Sequence, residues 1–133
     1  MTEDEMRERT KQFALRVMRL VAALPKDQCG GVIGNQLLRS GTSVGANYRA
    51  ACRAKSMPDF IHKLGIVEEE ADECCYWLEL IIEGDLMKPR KVALLMKEAD
   101  EFVRIVAASR ITAKSKVDVT DRKSKIENRK SNA

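Results

Sequence analysis

The sequence predicts an all-α protein, an antiparallel up-down-up-down four-helix bundle. Apolar residues recur at alternating steps of three and four through four successive segments, the stripe of helices that face a common core. The breaks between segments are a few residues long and hold proline, glycine or helix-capping residues, so successive helices must lie side by side. Charged residues make up 33% of the 133 residues and aromatics 5%, which describes one soluble helical domain with a core of Leu, Ile, Val, Ala and Met.

The first helix is predicted from about Glu3 to Leu24. Met6, Thr10, Phe13, Val17, Leu20 and Leu24 form its stripe, and Arg7, Arg9, Lys11, Arg16 and Arg19 take the other faces. Pro25 ends it, because the residue before a proline is pushed out of the helical region. Asp27 is a suitable N-cap for the second helix, from about Gln28 to Ala54. Its stripe is Ile33, Leu37, Ser40, Val44, Asn47 and Ala51, with two polar members. One turn around lies a row rich in glycine: Gly34, Leu38, Gly41, Gly45 and Tyr48. A glycine inside a helix costs about 1 kcal/mol against alanine, so this row calls for close approach of another backbone.

Ser56-Met57-Pro58-Asp59 restarts the chain as a cap, with Asp59 placed as in a capping box and proline in the first turn. The third helix then runs to about Glu83, with Phe60, Leu64, Val67, Ala71, Cys74, Leu78 and Ile81 as its stripe and an acidic exterior. Gly84 is expected to close it in the left-handed conformation. Lys88-Pro89 opens the fourth helix, to about Ile111, with Val92, Leu95, Met96, Ala99, Phe102, Val103 and Val106 turned inward. The apolar period stops after Ala113. The expected organisation is therefore a bundle domain over 1–113 and a disordered basic tail over 114–133.

The formal charge of +4 is carried by that tail, which holds seven basic and three acidic residues and leaves 1–113 neutral. A basic patch on the body has to come from segregation of charge. Helix two supplies one, since it has no acidic residue between Asp27 and Asp59 but carries Arg39, Arg49 and Arg53, with Lys55 following. These four are the candidate nucleic-acid contacts. Ser40, Gly41, Gly45, Asn47 and Tyr48, together with Tyr76 and Trp77, are the candidate residues for helix packing or an oligomer interface. Tyr76 and Trp77 leave the helix about 100° apart, so they cannot both face the core.

Met1 to Glu8 is polar and acidic, unlike a secretory leader, and no apolar run approaches the roughly 18 residues of a membrane span. The expected location is the cytoplasm, with the four cysteines reduced and used as small buried residues. No C-x-x-C pair points to zinc. The only histidine is His62 and helix two has no carboxylate, which opposes a di-iron bundle. No base on helix two is placed to activate Ser40 or Ser43.

The run Arg39-Ser40-Gly41-Thr42-Ser43-Val44-Gly45-Ala46-Asn47-Tyr48-Arg49 resembles the core of the four-helix-bundle family named after the 23S rRNA intervening sequence. Ser56-Met57-Pro58-Asp59-Phe60 resembles that family's S-x-x-D-F helix start, and Gly65–Glu73 and Tyr76–Leu80 match one branch of it. The resemblance covers about residues 8–110. It implies a four-helix bundle assembled as a ring of five, with no enzymatic activity and no cofactor. A related accessory protein of diversity-generating retroelements binds nucleic acid and its reverse transcriptase. Family members more often carry Glu near position 51, where this chain has Ala51.

The expected function is thus a non-enzymatic homo-oligomeric binding module with no membrane partner that meets structured RNA or other nucleic acid electrostatically. The competing expectation is a structural or regulatory protein–protein scaffold with no nucleic-acid role. A metal-dependent bundle enzyme is the weakest of the three.

Overall fold

The computed structural model describes residues 1–131, which form four helices and, among the described residues, no strand. Helix α1 spans Glu3–Ala22, α2 Gln28–Cys52, α3 Met57–Glu83 and α4 Pro89–Ser131. Each of α1, α2 and α3 starts on a side-chain cap. The Thr2 hydroxyl accepts from the Glu5 N–H while the Glu5 carboxylate accepts from the Thr2 N–H. The Asp27 carboxylate accepts from the Gly30 N–H at 2.8 Å. The Ser56 hydroxyl accepts from the Asp59 N–H at 3.2 Å, but the Asp59 carboxylate reaches back to the N–H of Lys55, one residue before the cap. Lys63, a turn later, holds the same carboxylate and keeps its pKa below the ordinary value.

Each helix turns its apolar stripe inward. Every stripe residue expected on α1 is buried, as are the α3 residues from Leu64 to Ile81. On α2, Leu37, Ser40, Val44 and Ala51 are buried, while Ile33 and Asn47 are half-buried. Val92, Leu95, Ala99, Phe102 and Val106 complete the core from α4. Helix α1 packs on α2, α2 on α3 and α3 on α4, and a narrower seam joins α4 to α1. At that seam Phe13 and Phe102 meet edge to face, 5.4 Å between centroids. The Arg9 guanidinium lies 5.2 Å over the Phe102 ring and donates to Glu98 at 2.9 and 2.7 Å and to Glu101 at 2.7 Å.

Three expectations are corrected. The fourth helix does not stop near Ile111 but continues to Ser131. Among the described residues Ala113 is the last that is buried, and between 114 and 130 only Val117 is even partly covered. Loss of apolar period therefore marks where α4 leaves the core, not where its backbone ceases to be helical. The chain here is free of glycine and proline and keeps opposite charges four residues apart, as in Asp118/Arg122 and Asp121/Lys125, which favours helix. The remainder of the expected tail, 132–133, lies outside the described residues.

Gly84 is not left-handed, with φ −84°; Asp85 takes that role at φ 57°. The left-handed cap falls one residue later than expected, with the Leu86 N–H on the Ile81 carbonyl and the Asp85 N–H on the Ile82 carbonyl. A short polar side chain tolerates this conformation better than most, and Leu86 tucks back onto the core. Finally, only Cys74 is fully buried; Cys52 and Cys75 are half-buried and Cys29 is exposed, because Cys29 falls in the first turn of α2, outside its stripe.

Candidate functional site

The glycine row of α2 is used within the chain. Gly34 faces Val21 and Leu24, Gly41 faces Val17, and Gly45 faces Thr10, so residue numbers rise along α2 as they fall along α1. A Cβ on Gly41 would sit 2.8 Å from Val17 Cγ1, and one on Gly45 would sit 3.2 Å from the Thr10 hydroxyl. The row thus lets α1 lie close, and the backbone approach it was expected to allow is made by α1 of the same chain. Thr10 is buried at this crossing and donates its hydroxyl proton to the Met6 or Arg7 carbonyl, at 3.0 and 3.1 Å.

Close approach leaves a shallow outer groove between α1 and α2, about 510 Å³ in volume. Thr10, Ala14, Gly45 and Ala46 provide small residues along it, and Arg7, Lys11, Arg49 and Arg53 line it with cations. Asp4 and Glu8 are also present. Asp4 pairs with Arg7, and Glu8 accepts from Gln12 at 2.9 Å. Lys11, Arg49 and Arg53 form no ion pair among the described residues.

The four basic residues singled out in the sequence are therefore divided. Arg49 and Arg53 share the groove. Arg39 points across to α3 and donates to Glu73 at 3.3 Å, and Lys55 lies in the turn between α2 and α3, beside a separate depression with Glu3 and Cys52. Arg7 and Lys11 were not singled out as contacts. Their spacing of four put them on one face of α1, but nothing in the sequence placed that face beside Arg49.

The remaining packing candidates make contacts within the chain, and Tyr76 stays exposed. Ser40 is buried and donates to the Gln36 carbonyl at 3.0 Å, while the Cys74 thiol donates to the Ser40 hydroxyl at 3.4 Å. Asn47 donates to the Ser43 carbonyl at 2.8 Å. Burial raises the pKa of the half-buried Tyr48 phenol. Trp77 packs against the core and donates its indole N–H to Glu73 at 3.2 Å. Tyr76 touches Trp77 edge to face yet is 53% exposed.

Neither Cys74 nor Cys75 is poised as a nucleophile. Burial pushes the Cys74 thiol up to about 12 and the Cys75 thiol up to about 11, so both are protonated at neutral pH and unreactive. Burial, followed by the neighbouring Glu73 charge, raises the Glu70 carboxyl, one oxygen of which is covered and lacks a hydrogen-bond partner among the described residues. Among the described residues no three His, Cys, Asp or Glu side chains converge as a metal site requires. No described helix is long and apolar enough to cross a membrane.

Comparison with known proteins agrees with this architecture. The family of 23S rRNA-intervening sequence proteins matches residues 2–108. The chain belongs to that family. The match spans all of α1, α2 and α3 and the first half of α4, and it stops before the exposed extension. A solved structure of a protein of unknown function from the S23 ribosomal protein family of Bacteroides thetaiotaomicron is 34% identical, with a TM-score of 0.76. The alignment covers 83% of this chain and 98% of that one. No curated protein matches the chain.

Proposed function

We propose that this member of the 23S rRNA-intervening sequence family is a non-enzymatic, homo-oligomeric bundle that binds structured nucleic acid through phosphate contacts in the α1–α2 groove. The observation that carries the reading is the convergence of Arg7, Lys11, Arg49 and Arg53 on one groove of a body whose residues 1–113 have no net charge. Such segregation gives a local attraction for polyanions without a basic protein overall. No aromatic side chain lines the groove, so bases have no stacking platform and contacts fall on the backbone.

The proposed topology is up-down-up-down and antiparallel, which agrees with the opposed numbering of α1 and α2. The proposed assembly is the ring of five that the family resemblance implies, and the proposed location is the cytoplasm. A ring presents each groove five times, so weak contacts act together on one long ligand. The protein-scaffold reading is favoured by a different observation, the exposed acidic face of α3 with Tyr76 at its centre.

The test of the nucleic-acid reading is a double substitution, Arg49→Ala with Arg53→Ala. Both side chains are exposed and unpaired among the described residues, so folding and subunit mass should not change. Affinity for an RNA hairpin at low salt should fall at least about tenfold. Unchanged affinity with an intact oligomer would assign binding elsewhere.

A further inference from the structure

The exposed extension of α4 and the outer face of α3 are complementary over the same length. On the extension, Lys116, Val119, Lys123, Ile126 and Lys130 are spaced by three and four, so they form one stripe, and all five are exposed. Val119 and Ile126 are each more than half exposed. On α3, Glu69, Asp72, Tyr76, Glu79 and Glu83 follow the same spacing and are also all exposed. Both stripes cover 14 residue steps, about 21 Å of helix. None of these residues forms an ion pair among the described residues.

We infer that the α4 extension docks along the outer face of α3 of a second copy of this chain. Laid side by side, the end lysines meet Glu69 and Glu83 in either helix direction, and Lys123 lies over Tyr76, where an ammonium is attracted to the ring face. Val119 and Ile126 fall beside the stems of Asp72 and Glu79, and Arg122 and Arg129 flank the same carboxylates. The extension cannot reach this face in its own chain. Ala108, Thr112 and Lys116 lie beside Met57 and Phe60 at the start of α3, so a straight helix continuing past Lys116 leads away from residues 69–83. A helix of this length exposed on every side has little intrinsic stability in water, and a charged partner surface of matching period supplies what it lacks. The inference rests on the homo-oligomer reading and gives it a specific contact.

The test uses three full-length variants and analytical ultracentrifugation over a concentration series. One reverses the face, Glu69→Lys, Glu79→Lys and Glu83→Lys. One reverses the extension, Lys116→Glu, Lys123→Glu and Lys130→Glu. The third carries all six changes. All six positions are exposed, and circular dichroism checks that each variant is folded. Each triple reversal should raise the midpoint concentration of assembly by about tenfold or more, and the six-fold swap should restore it. An oligomeric wild type whose mass neither triple reversal changes would overturn the docking alone. So would a folded swap that fails to restore assembly, or an extension reversal that weakens RNA binding with assembly unchanged. A wild type that stays at its monomer mass of 15.0 kDa would overturn the homo-oligomer reading, and the docking with it.

Discussion

Replacing Phe102 with alanine is expected to remove about 4 kcal/mol of stability, the range for deleting a large buried aromatic. Phe102 is fully buried and is the point where α4 meets α1, through the Phe13 ring and the Arg9 guanidinium. That seam is the narrowest in the bundle, so few neighbouring contacts exist to offset the cavity. Truncation also removes the ring beneath Arg9, leaving its ion pairs with Glu98 and Glu101 to hold the seam alone. These are partly exposed pairs, worth about 1 kcal/mol or less each. Urea denaturation should show a lowered midpoint with an unchanged slope. A loss below about 1 kcal/mol would mean that the seam contributes little and that the core is closed chiefly by the other three interfaces.

Gly41→Leu is the second large effect. The first carbon of any side chain at this position already meets Val17 Cγ1 at 2.8 Å, and leucine adds three more. Val17 is itself fully buried and cannot swing into solvent. Overpacking of this kind costs about 3 kcal/mol, against about 1 kcal/mol returned by better helix propensity. The net loss should lower the melting temperature by several degrees. It should exceed the effect of Leu15→Ala, because Leu15 is only half-buried. Since Gly41 contacts α1, the loss belongs to the folding of each subunit. Native melting behaviour in Gly41→Leu would show that α1 can move away from α2 without penalty.

Much of the bundle was legible because burial in a helix repeats with the helical period. Thr10 and Ser40 could be placed in the core despite their hydroxyls, since each sits in register with apolar neighbours and can bond a carbonyl one turn back. The capping pair Thr2 and Glu5 fits T-x-x-E, but no cap was assigned to α1 from the sequence. What the period does not encode is which faces of two helices become neighbours. For that reason Arg49 and Arg53 were found but Arg7 and Lys11 were not, and the glycine row announced a close neighbour without saying that it is α1. The length of α4 escaped for a different reason. Apolar period reports packing, while backbone helicity past Ala113 depends on local propensity and charge spacing, which a search for a core does not weigh.

The most direct measurement of the central claim is a salt titration of binding to a DNA hairpin and an RNA hairpin of the same sequence. Each phosphate neutralised on duplex DNA contributes about −0.9 to the slope of log affinity against log salt. A groove engaging three or four cations should therefore give a slope of roughly −3, and Arg49→Ala with Arg53→Ala should make it shallower by about 2. Affinity should vary little when the hairpin sequence is changed, because the contacts lie on the backbone. Binding that is absent at low salt in a correctly folded oligomer, or a slope that the double substitution leaves unchanged, would contradict the account.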